Sequence, residues 1–169
     1  MKKALLAIFL FFSFNLYGAG AKIDIPKYDW SWKGFFGTYD RASAQRGLKV
    51  YREVCAGCHS MNYLSYRNLV DLGFSEDHIK AIAAEHLVLD GPNDEVEMFE
   101  RDGIPSDQFV NPYLNEKAAR AANNGAYPPD LSLIVKARPK GADYIKALLL
   151  GYVDPPEDMK VPKGQHYNK

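Results

Sequence analysis

Cys55-Ala56-Gly57-Cys58-His59 holds both cysteines of this 169-residue chain. Two thiols three positions apart at the end of a helix can each add to one of the two vinyl groups of a haem. The adjacent imidazole then lies under the iron as an axial ligand. In an exported protein a C-x-x-C-H string reads as a c-type haem attachment site. Cys55 and Cys58 are therefore the expected thioether sites of one covalent haem c, and His59 its expected metal ligand. A thioredoxin-like redox pair and half of a zinc site are the rival readings, and neither requires His59. The zinc reading also lacks a second cysteine pair, and the redox reading lacks a surrounding βαβ pattern.

The beginning of the chain fits export. Met1-Lys2-Lys3 is a positive n-region, Ala4 to Tyr17 is almost wholly apolar, and Ala19-Gly20-Ala21 suits cleavage before Lys22. The apolar run of 14 residues is short of the roughly 20 that span a bilayer. Residues 1–21 are thus expected to be a signal peptide and 22–169 the haem domain. Composition agrees with one globular domain: 47% of residues are hydrophobic and 25% charged. Lys+Arg 21 balance Asp+Glu 21, which argues against nucleic acid as a partner.

Outward from the pentapeptide the pattern is helical. Leu48, Tyr51 and Val54 recur at spacings of three within a helix expected over 40–54. Tyr66 to Leu72 reads as a short helix stopped by Gly73. Ser75 reads as the N-cap of a helix burying Ile79, Ile82 and Ala83. Further helices are expected over 115–123, 131–137 and 142–150, and residues 22–36 form an aromatic, irregular arm. Strand-like alternation is nearly absent, so the expected class is all-α with long loops. From Glu85 to Asp107 eight acidic side chains face Arg101 alone, in a segment read as an exposed loop. Such a loop is either a solvated surface or an electrostatic docking patch for a basic partner.

A haem iron also has a sixth position, which electron carriers usually fill with Met or His. Met61 is too close to the motif to reach the opposite face, Met98 sits in the acidic segment, and spacing alone favours Met159. His78, His86 and His166 read as ordinary surface or core histidines.

The haem motif, the run Arg120-Ala121-Ala122-Asn123-Asn124-Gly125-Ala126-Tyr127-Pro128-Pro129-Asp130-Leu131-Ser132, and Gly151-Tyr152 followed by Pro155-Pro156 together resemble the cytochrome c1 family. The resemblance runs from about Trp30 to the last residue. It implies a class I c-type cytochrome-like haem domain that transfers electrons without being catalytic itself. The implied route takes an electron from a Rieske iron–sulfur protein and gives it to a soluble cytochrome c, beside cytochrome b, in a respiratory ubiquinol–cytochrome c oxidoreductase. It implies the periplasmic face of a bacterial inner membrane, equivalent to the mitochondrial intermembrane space. It also implies that Arg120 lies near the haem propionates, and that Pro112 offers its carbonyl to the Nδ1–H of His59.

In the family the sixth ligand is a Met in a Gly-rich apolar stretch followed by proline, and a C-terminal transmembrane anchor comes later. Lys169 precedes the places where both are expected, so the sequence reads as a truncated member and Met159 is set aside as a ligand. An independent soluble monohaem carrier is the alternative, and a haem enzyme or gas sensor with an open iron site the third reading. A complete carrier would contain its own sixth ligand, and an enzyme or sensor needs distal polar groups.

Overall fold

Asp40 caps the first helix, its side chain accepting from the Ser43 amide at 3.0 Å, and α1 runs Arg41–Val50. The computed structural model describes residues 24–169; the leader expected at residues 1–21 lies outside the described residues. α1 leads into a π-helical turn, Tyr51–Cys55. The extra residue in that turn rotates the positions after Tyr51 about the helix axis. Tyr51 is consequently buried while Val54, expected on the same face, is 71% exposed.

Tyr66–Leu72 forms the expected short helix, as a 3-10 helix, and Gly73 ends it at φ 87. The side chain of Asn68 accepts from the Ser65 amide at 2.8 Å and fixes its start. Ser75 then caps α2, Glu76–Ala84, which buries Ile79, Ile82 and Ala83 as its periodicity requires. The chain crosses Gly103, where a Cβ would stand 2.5 Å from the Ala83 carbonyl oxygen, so only glycine fits so close to α2. It then lies beside residues 64–67, with Phe109 N donating to Leu64 O at 3.0 Å. Phe109 stacks on Tyr66 at 4.6 Å and meets Tyr51 edge-on at 5.9 Å. These rings, with Leu69 and the buried face of α2, form the core beside the Cys-His turn.

The all-α expectation needs a correction. The fold is mostly helical, but Leu87–Asp90 (β1) and Phe99–Asp102 (β2) pair antiparallel, Leu87 opposite Asp102 and Asp90 opposite Phe99. Leu-Val-Leu-Asp and Phe-Glu-Arg-Asp show no alternation of apolar and polar residues, and Leu87 and Leu89 stay exposed, because the ribbon lies on the surface and buries little. Its ladder and Arg101 hold it instead. The Arg101 guanidinium donates to Asp90 at 2.5 Å and to both carboxylate oxygens of Asp107 at 2.6 and 3.0 Å.

α3, Glu116–Ala122, is capped by the Asn115 side chain, which accepts from Ala118 N. α4, Ile134–Ala137, is shorter than the span of 131–137 expected, because residues 130–132 are held in a separate turn. α5, Ala142–Leu150, carries the arm: buried Asp143 accepts from Trp30 Nε1 at 2.6 Å, from Tyr28 N at 3.2 Å and from Lys33 Nζ. The arm thus lies on α5, with Trp30, Trp32 and Tyr39 stacked in series. Among the described residues no helix is long and apolar enough to cross a membrane.

Candidate functional site

The π-helical turn closes with Ala56 N donating to Tyr51 O at 2.8 Å, five residues back. A tighter turn comes next: Cys58 N and His59 N both donate to Cys55 O, at 3.1 and 2.8 Å. Cys55 is half-buried against the core and Cys58 is exposed, and neither is in a disulfide. The Tyr51 hydroxyl donates to the His59 carbonyl at 3.2 Å, pinning the histidine backbone from the core side. Burial, and then the nearby Asp130 carboxylate, push the Tyr51 phenol up to about 12, so it remains a donor at ordinary pH.

The imidazole is fixed by a segment distant in sequence. His59 Nδ1 lies 2.8 Å from the carbonyl oxygen of Pro129, 70 residues on. With the proton on Nδ1 and donated to that carbonyl, Nε2 is left as the nitrogen with a lone pair for a metal. The Pro129 segment is stapled to the turn after His59. Asp130 Oδ2 accepts from Ser60 Oγ and Asn62 N, both at 2.8 Å. Leu131 N donates to Ser60 O at 2.9 Å, and Tyr63 N to Ser132 Oγ at 3.0 Å. Burial alone would raise the Asp130 carboxyl, but its donors from Asn62, Ser132 and Ser60 outweigh burial and hold it below the usual carboxylate range.

The expectation for Pro112 is therefore corrected. The carbonyl that meets His59 Nδ1 belongs to Pro129, whose loop is tied directly to Ser60 and Asn62. Pro112 instead lines a depression of about 100 Å³ beside Cys58, together with Tyr113, Asn115 and Tyr127. Both prolines are visible in the sequence, but which one closes on a histidine depends on hydrogen bonds that span some 70 positions. Asp130, Ser60, Asn62 and Ser132 were missed for the same reason. A signal was present in Pro128-Pro129-Asp130-Leu131-Ser132, where a carboxylate after two prolines and before a serine suits a side-chain-capped turn.

Arg120 stands on α3, half-exposed, with Nε donating to Glu116 at 2.8 Å and a terminal nitrogen to Gly125 O at 2.9 Å. Its guanidinium lies 5.6 Å from the centre of the Tyr127 ring. It braces the turn after α3, which leads into the Pro129 loop. Met61 packs against the core, whereas Met98 and Met159 are about half-exposed. His78, His86 and His166 lie outside the core; the ring of His86 stacks on buried Tyr66.

Two thiols at this spacing and an imidazole with its Nε2 uncommitted are the donor set that a covalently bound haem requires. Among the described residues no three His, Cys, Asp or Glu side chains gather as a metal cage. A model of the family described as the Cytochrome C1 family matches residues 30–169. The chain belongs to the cytochrome c1 family. It is 56% identical over 146 residues to the Arabidopsis thaliana protein named cytochrome c1 1, heme protein, mitochondrial, a match covering 86% of this chain and 48% of that protein. Cytochrome c1 of Rhodospirillum rubrum is 55% identical over 130 residues, covering 77% of this chain and 48% of that one. A Candida albicans protein named cytochrome b-c1 complex catalytic subunit, mitochondrial, is 52% identical over 144 residues, covering 85% and 50%. The chain spans about half the length of these relatives of the cytochrome c1 family.

Proposed function

We propose that this chain carries one covalent haem c and works as an electron-transfer subunit of a respiratory ubiquinol–cytochrome c oxidoreductase. The observation that carries the reading is the pairing of His59 Nδ1 with the Pro129 carbonyl at 2.8 Å within a C-x-x-C-H turn, in a chain of the cytochrome c1 family. Cys55 and Cys58 would hold the porphyrin and His59 Nε2 the iron. Bound there, a haem supplies a one-electron couple at its iron. The chain's own residues do the rest. The Tyr51 hydroxyl and the Pro129 carbonyl hold His59 from its backbone and its ring, and the core rings keep water from one side of the turn. The helices about the pentapeptide are read as a class I c-type cytochrome arrangement.

Arg120 is assigned to a haem propionate, a role suited to a planar, permanently charged donor. Cytochrome b is the proposed neighbour, a Rieske iron–sulfur protein the donor and a soluble cytochrome c the acceptor. The domain is placed on the outer face of a bacterial inner membrane, with residues 1–21 as its export signal. The acidic segment supports a basic acceptor. Arg101 neutralises part of it at Asp90 and Asp107, while Asp94, Glu95, Glu97, Glu100 and Asp102 are exposed.

The test is stopped-flow transfer with the haem-loaded, full-length protein in its complex: reduction by the Rieske protein and oxidation by cytochrome c should both be visible in the haem spectrum. Reversing charge at Glu95 and Glu97 should slow the second step several-fold at low ionic strength and much less at high salt. A haem that exchanges no electrons with either partner would refute the proposed role, and salt-independent rates would refute the steering.

A further inference from the structure

Asp130 accepts hydrogen bonds through both carboxylate oxygens, two from the segment that follows His59 and one from its own turn. Oδ2 takes Ser60 Oγ and the Asn62 amide, and Oδ1 takes the Ser132 amide at 2.8 Å. Ser132 in turn receives the Tyr63 amide. The segments 60–63 and 130–132 are thus laced together immediately after the contact between His59 Nδ1 and Pro129 O. Proline has no N–H, so Pro129 has no backbone donor of its own with which to anchor the position of its peptide unit. The next residue along the chain with a fixed side chain is Asp130.

We infer that Asp130 is a positioning residue that holds the Pro129 carbonyl on the His59 imidazole, and so governs how strongly that imidazole donates to a metal. This rests on the haem reading of the site. A ring whose Nδ1–H is firmly held by an acceptor is the more basic ligand. More basic ligation favours the oxidised metal, so a slack contact should raise the midpoint potential.

The experiment compares wild type, D130A, D130N and the charge-neutral pair S60A/S132A as haem-loaded, full-length protein. Two quantities are read: the midpoint potential, and solvent exchange of the His59 Nδ1 proton by NMR on the reduced protein under carbon monoxide. Exchange is expected to quicken about tenfold or more in D130A, which corresponds to about 1.4 kcal/mol of lost protection. D130N, which keeps one acceptor oxygen, should fall between wild type and D130A. S60A/S132A should quicken exchange and raise the potential without changing any charge. If D130A yields no folded protein, the other two variants carry the comparison. A raised potential with unchanged exchange in D130N, beside unchanged potential and exchange in S60A/S132A, would show that Asp130 acts only through its charge, and would overturn the inference. Absence of covalent haem from the wild type would instead overturn the reading on which it rests.

Discussion

Tyr51 is a phenol held between a core that excludes water and a carboxylate that repels its ionised form. Its pKa is pushed up to about 12 from 10.0. A group whose folded pKa is raised lends stability below its unfolded pKa and loses it as pH climbs to the folded one. Unfolding free energy should therefore fall between about pH 10 and 12, by at most about 3 kcal/mol from this residue. Tyr51→Phe should flatten that part of a chemical-denaturation profile; an unchanged slope would show that the phenol is not perturbed. At this scale Cys55, Cys58 and His59 stand out in the sequence as candidates because the chemistry proposed for them needs only a fixed spacing along one turn. Pro129 and Asp130 do not, since nothing local to either proline says which reaches the imidazole. The π-helical turn was also invisible: Val54 obeys helical spacing, and only the widened turn carries it off the face of Leu48 and Tyr51.

Two elements depend on single charged side chains. The β1–β2 ribbon has little apolar burial, so Arg101 acts as its clasp across Asp90 and Asp107. Its two carboxylate partners are both held below the usual range by hydrogen bonds from that guanidinium. Arg101→Ala should speed amide hydrogen exchange in Leu87–Asp90 while leaving α2 protected; equal rates in wild type and variant would show that the ladder alone suffices. The aromatic arm hangs on Asp143 in the same way, and it carries both tryptophans of the chain. The hydrogen bond from Trp30 Nε1 keeps the Asp143 carboxyl below its usual range. A depressed carboxyl contributes stability above its unfolded pKa and loses it as pH falls through the folded value. Acid should therefore loosen the arm, seen as a shift of tryptophan emission at a pH below the ordinary carboxylate range. Asp143→Asn should show the loosened emission already at neutral pH; emission identical to wild type would show that the carboxylate does not hold the arm. The helices were legible where an apolar face repeats, as in α2, or where a cap is explicit, as at Ser75 and Asn115. The ribbon was not, because cross-strand pairing and an arginine clasp leave no periodic trace.

Across the whole molecule, the core of Tyr51, Tyr66, Leu69, Ile79, Ile82, Ala83 and Phe109 lies against the turn that carries the two thiols. The Pro129 loop closes on that turn from some 70 residues further along the chain. A rigid support on one side and a stapled loop on the other is what a histidine proposed to bind a metal would need. Mass spectrometry of the chain exported from a host competent in c-type haem maturation addresses the attachment directly. The result expected is the polypeptide plus one haem, retained through acidified acetone and located on the peptide that contains Cys55 and Cys58, with C55A/C58A unmodified. An unmodified polypeptide from such a host, or a pigment that washes out, would contradict it.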